Sequence, residues 1–194
     1  KTTIQSKDVP DWSLAQKKLE QKLSSFSSDE PIAHIRKSIS DNCLKRGDCG
    51  QGLFTLSVPT GGGKTLASLR FALAHAKKHN LEHIFYIIPY TSIIEQNAKD
   101  VRDILGEGWV LEHHSNLEPE LQTWQSKITS ENWGMPIVFT TMVQYLEAQF
   151  GGGTRGVRRL HQLANSVVIF DEIQTLPINC VHLFCNALNF LVSY

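Results

Sequence analysis

The sequence predicts an α/β fold, a mostly parallel sheet with helices on both faces, and three observations carry that expectation. Short continuous apolar runs at 53–58, 83–89, 136–141 and 167–170 read as strands covered on both sides, each followed by a helical pattern. The first run ends in Pro59-Thr60-Gly61-Gly62-Gly63 and passes straight into a helix at Lys64-Thr65. The last run ends in two adjacent carboxylates, Asp171 and Glu172.

Composition bounds the rest. A chain of 194 residues is long enough for one domain with a real core and too short for a second of similar size. Nineteen basic and nineteen acidic side chains cancel, so overall charge gives no argument for nucleic acid; only a local patch could. No apolar run approaches the span of a bilayer and the charged start has no apolar signal core, so the expectation is a soluble, cytoplasmic protein without a membrane partner. Cys43 and Cys49, then Cys180 and Cys185, lack the spacing of a zinc ribbon and read as thiols on helices.

In chain order, residues 1–30 offer one amphipathic helix with Trp12, Ala15, Leu19 and Leu23 in register, read as a linker or the tail of a preceding domain. A second helix follows Pro31, with Ile32, Ile35, Ile39 and Cys43 on one face. Next come the buried strand 53–58, the glycine turn, and a helix from Lys64 to about Asn80. The strand 83–89 ends at Pro89, and Tyr90-Thr91-Ser92 should cap the helix after it. A short strand at 109–112 leads to His113-His114-Ser115-Asn116 and a polar helix near 118–127. The strand 136–141 runs into a helix at 142–150, Gly151-Gly152-Gly153 opens an arginine-rich loop with Arg155, Arg158 and Arg159, and a last helix from about Ile178 follows the acid pair.

The chemistry sits at two strand ends. A strand that turns through consecutive glycines into a helix leaves several backbone N–H groups pointing into one concavity, which suits a polyphosphate. Gly61, Gly62 and Gly63 let the backbone approach phosphate closely, Lys64 supplies a mobile positive charge, and the Thr65 hydroxyl suits Mg²⁺. The pattern G-x-x-x-x-G-K-[ST] is not fully met, because its first glycine falls at Val58. Asp171 suits Mg²⁺ held through water, and Glu172 suits orienting or deprotonating an attacking water.

Pro59-Thr60-Gly61-Gly62-Gly63-Lys64-Thr65 and Asp171-Glu172-Ile173-Gln174 together resemble the first two motifs of superfamily-two helicases. Taken with 87–98, 110–116 and 138–148, in this order, the chain resembles over 31–194 the first RecA-like lobe of the helicase-nuclease of type I CRISPR systems. The resemblance implies a P-loop NTPase lobe that binds ATP and Mg²⁺ and drives translocation on single-stranded DNA. It further implies an RNA-guided surveillance complex as recruiting partner, a second helicase lobe, and a His-Asp nuclease domain absent from this chain. Carried over by motif, Pro59 to Thr65 bind the nucleotide, Thr65 and Asp171 hold the metal, and Lys64, Glu172 and Gln174 serve catalysis, with Gln174 coupling the γ-phosphate to the DNA side. Pro89, Tyr90, Thr91 and Ser92 fall at the family's first DNA-contacting loop, and Thr140 and Thr141 at its second. Another superfamily-two motor, such as a restriction-type translocase or an RNA helicase, and a non-catalytic docking module are the alternatives.

The family's Ser/Thr-Ala-Thr strand, which lies between the glycine-loop strand and the Asp-Glu strand, is missing. The lobe is therefore expected to be incomplete at its C-terminus, with a mid-sheet gap filled by another chain, rearranged, or left as open edges. His113-His114 invites a metal reading, but the family's nuclease uses a His-Asp pair and the chain contains none. Arg36 falls where many helicases place adenine-recognising residues.

Overall fold

The computed structural model describes residues 9–26, 30–59, 61–114, 132–152, 154–176 and 178–193. The helix expected near 118–127, Ser115-Asn116, Thr60 and Gly153 lie outside them. Four strands, β1 (His83–Ile88), β2 (Val110–His113), β3 (Ile137–Thr141) and β4 (Ser166–Phe170), form one sheet in the order β2-β3-β1-β4. Every pairing is parallel, with Ile87 beside both Thr140 and Phe170.

β1 is buried along its whole length, as its unbroken run His83-Ile-Phe-Tyr-Ile-Ile requires for a central strand. On one face α1 (Trp12–Ser24), α3 (Lys64–His79) and α4 (Thr91–Leu105) build a core with Leu69, Leu73, Ile84, Tyr86, Ile94 and Phe139. On the other, α5 (Met142–Phe150), α6 (Thr154–Leu163) and α7 (Ile178–Ser193) pack with Phe85, Val138, Tyr145, Phe184 and Trp133. This is the doubly covered parallel sheet that the apolar runs predict.

α1, read from sequence as a linker or a tail, packs against α3 and α4. Trp12, Ala15 and Leu19 are buried, and Trp12 Nε1 donates a 2.7 Å hydrogen bond to Leu81 O. A 13-residue helix is marginal alone, whereas burying Trp12 and Leu19 contributes roughly 1.5–3 kcal/mol each, so packing and not propensity decides that it forms. Arg70 of α3 then joins α1 to α2 (Pro31–Gly47). It forks onto both carboxylate oxygens of Glu20 at 2.6 and 2.7 Å and reaches Asp41 at 2.6 Å. Arg70 is only 11% exposed, which makes this network less screened than an ordinary surface pair.

Two expectations are corrected. Residues 53–58 form no strand and are not buried: Leu53 is 66% exposed, Phe54 38% and Leu56 40%. Phe54 rests against Phe71 and His75 of α3, ring centroids 5.1 and 5.7 Å apart, so the segment stays with α3. Among the described residues nothing pairs with β4 on its outer side, and a backbone without a ladder partner keeps its polar groups in water. β4 is thus an edge of the sheet among the described residues. The apolar face of α2 is correspondingly half-covered, with Cys43 buried and Ile32 and Ile35 exposed.

The arginine-rich segment is helical rather than a loop. Val157, Leu160 and Leu163 recur at three-residue spacing; Leu163 is buried and Leu160 half-buried beside the second core, while Val157 faces solvent. All four cysteines are free thiols, and no cluster of metal-binding side chains occurs among the described residues.

Candidate functional site

Parallel pairing brings the C-terminal ends of all four strands to one rim, where crevices of open α/β sheets bind ligands. Asp171 follows β4 directly, and its N–H donates to Ile87 O at 3.0 Å, extending the ladder by one residue. Lys64 opens α3 on the same rim. Its Nζ lies 2.6 Å from Asp171 Oδ1 and also bonds Glu172 Oε1. The three charged groups named from two motifs 108 residues apart therefore meet.

Their electrostatics follow from that contact. The hydrogen bond from Lys64 holds the Glu172 carboxyl below its ordinary range, against a smaller desolvation effect. Burial pulls the Lys64 ammonium down, but the hydrogen bonds and charges of Asp171 and Glu172 outweigh it, and its net shift is upward. Glu172 is held in place on three sides. Its N–H donates to Asp171 Oδ1 at 2.9 Å, its carbonyl accepts from the Thr175 N–H and hydroxyl at 2.9 and 2.8 Å, and Gln174 Nε2 donates to Oε2. The backbone of Glu172 is left-handed, φ 51°, an uncommon conformation for a residue with a long side chain and one found at functional sites. Sequence reasoning gave no sign of it.

The glycine loop has the form its composition demands. Gly61 and Gly63 have φ of 79° and 77°. A Cβ on Gly62 would lie 2.3 Å from Val58 Cγ1 and 2.9 Å from Pro59 O. Gly63 is the N-cap of α3 and no side chain caps it, so the first-turn N–H groups face the rim open, as an anion site needs. Thr65 is in this first turn. Beneath it Ser68 Oγ donates to Thr65 O at 3.0 Å and lies 3.2 Å from the buried Tyr86 hydroxyl. Arg36 donates from Nε to Gly61 O at 2.8 Å.

These residues fit a magnesium-bound nucleoside triphosphate. An uncapped helix start offers amides, Lys64 a cation, and Thr65 and Asp171 the few oxygen ligands that Mg²⁺ takes from protein when phosphates supply the others.

The residues expected to face nucleic acid divide. Pro89 and Tyr90 follow β1, Tyr90 is 51% exposed, and Tyr90 rather than a hydroxyl residue is the N-cap of α4, with no side-chain cap. The hydroxyls of Thr91 and Ser92 are thus not used as caps, contrary to the expectation that they would be. Thr141 does cap α5, accepting from Gln144 N–H at 3.3 Å. Thr140 is fully buried and donates to His113 O at 2.9 Å, so its side chain is spent between β3 and β2.

His113 ends β2 and His114 follows it. Arg159 of α6 lies over the Trp133 ring, 5.1 Å from its centroid, and its guanidinium sits 3.0 Å from His113 Nε2 and donates to Gln144 Oε1 at 2.8 Å. Burial, then the Arg159 charge, pushes the His113 imidazole down to about 4. A base whose folded value lies below its unfolded 6.5 costs stability as pH falls between the two, because the unfolded chain takes up the proton first. His113→Gln, which can still accept from Arg159, should therefore flatten the fall in melting temperature between about pH 6.5 and pH 4.

The chain belongs to the DEAD/DEAH box helicases, whose family model matches residues 35–179. That span contains the glycine loop, Lys64 and the acid pair. Among curated proteins the chain is similar to the CRISPR-associated nuclease/helicase Cas3 of Haloferax volcanii, 32% identical over 148 residues. The match takes in 63% of this chain and 16% of the relative's length. Among solved structures it is similar to the UvsW helicase from bacteriophage T4, with a TM-score of 0.48 and 14% identity over 91% of this chain and 65% of that one.

Proposed function

We infer that this chain is the ATP-binding first RecA-like lobe of a helicase that translocates on single-stranded DNA in type I CRISPR interference, with residues 31–194 as the lobe. The observation that carries the reading is the placement of Lys64 between Asp171 and Glu172 on the sheet's C-terminal rim. In this reading the loop 59–63 and Lys64 bind the triphosphate, Thr65 and Asp171 hold Mg²⁺, and Mg²⁺ neutralises phosphate charge. Glu172, a carboxylate at neutral pH and lowered further by the hydrogen bond from Lys64, accepts the proton of the attacking water. Gln174, bonded to that carboxylate, reports the state of the site to the rim.

The CRISPR assignment is carried over from the Haloferax relative, a nuclease/helicase. A surveillance complex, a second lobe and a His-Asp nuclease domain are the partners it brings, and the cytoplasm is the compartment we assign. Among the described residues no helix is long and apolar enough to cross a membrane. Tyr90 and Ser92, exposed just past the end of β1, and the half-buried Thr91 between them support a surface that grips a phosphate backbone without reading bases.

The test is ATP hydrolysis by the complete protein with single-stranded DNA or RNA of equal length. Stimulation by DNA at least about tenfold above RNA is expected, a margin of roughly 1.4 kcal/mol. Equal stimulation, or stimulation by RNA alone, would make the chain part of a different motor.

A further inference from the structure

One peptide unit of the glycine loop is held at both edges. The carbonyl oxygen of Gly61 accepts from Arg36 Nε at 2.8 Å. The amide of the same unit, on Gly62, donates to Pro59 O at 2.9 Å. A peptide unit is planar, so these bonds grip one plate from opposite sides. With glycine on both sides of it, that plate has little steric barrier to rotation, and without the Arg36 bond it could turn an acceptor oxygen into a loop that must present donors.

α2 also backs the loop by contact. The Arg36 stem lies 3.6–3.9 Å from the Cβ position of Gly63, and Ile39 Cδ1 lies 3.7 Å from that of Gly62. We propose that Arg36 is a positioning residue for the triphosphate: by fixing the Gly61–Gly62 peptide it presents the open amides at the start of α3, and it does not read the base. This rests on the nucleotide reading above and adds a second helix, 25 residues upstream, to the site.

The chemistry of the contact gives a discriminating variant. Glutamine places its amide nitrogen as many bonds from the backbone as arginine places Nε, so Arg36→Gln keeps the donor and removes the charge and the two terminal nitrogens. Binding of ATP, GTP and inorganic tripolyphosphate, each with Mg²⁺, is measured by titration calorimetry on the complete protein, with thermal melts showing that each variant is folded. Arg36→Ala is expected to weaken all three about five- to tenfold and to equal degree, the range of one lost hydrogen bond, and Arg36→Gln to restore most of that loss. Weakening of ATP alone would make Arg36 a base reader, and an Arg36→Gln variant as poor as Arg36→Ala would make its charge the active property. Either result, or wild-type binding by Arg36→Ala, overturns the proposal. Wild-type binding that is indifferent to Lys64→Ala would instead defeat the nucleotide reading itself, and the proposal with it.

Discussion

Lys64→Ala in the complete protein should lower ATP turnover by about two to three orders of magnitude, the cost of removing one donor aimed at developing charge. Lys64 cannot hold both carboxylates and also reach the phosphates, so binding must draw its ammonium away from Asp171 and Glu172. The variant should therefore lose affinity as well as rate. Steady-state hydrolysis over a range of ATP concentrations reads both. Turnover that survives the change would remove the motor reading altogether, because no other described cation lies between the acids.

Glu172→Gln should separate the two functions that Lys64 joins. The amide keeps the shape of the carboxylate and its bond from Lys64 but cannot accept a proton, so kcat should fall by about 10²–10⁴ while nucleotide binding stays near the wild-type level. Single-turnover hydrolysis beside a nucleotide titration checks this. A parallel fall in affinity would mean that Glu172 binds rather than activates. The same variant has a pH signature. The carboxyl of Glu172 is depressed by Lys64, so the bond's contribution to stability is full above the unfolded value of about 4.5 and lost as pH falls through the lower folded value. In Glu172→Gln that acid-side loss should be absent from the melting profile.

The sheet was legible in the sequence because its strands are buried on both faces and so lack the polar alternation that would blur them. Ile84, Phe85, Ile87, Val138 and Phe139 declare themselves by type alone. The same signal misleads at 53–58. Leu53, Phe54 and Leu56 are as apolar as any strand, yet strand formation depends on a neighbour's hydrogen bonds, which no local pattern encodes. α6 was hidden for the opposite reason, since Gly151-Gly152-Gly153 dominates its approach and only Val157, Leu160 and Leu163 mark its three-residue apolar repeat.

The site divides along the same line. Asp171 and Glu172 could be placed at the rim from sequence because a parallel sheet delivers every strand end there, whereas Lys64 follows no strand and is brought to them by the packing of α3 against β1 and β4. The brace from Arg36, the left-handed backbone of Glu172 and the burial of Thr140 depend on distances and dihedrals that residue types do not specify.

The seating of α1 bears on how the protein can be divided. A version of the chain begun at Pro31 would strip Trp12 and Leu19 from the core they help build and leave the indole's acceptor, Leu81 O, without its donor. Arg70, deprived of Glu20, would keep Asp41 as its carboxylate partner. Sticky, poorly soluble material is the outcome to expect from such a cut.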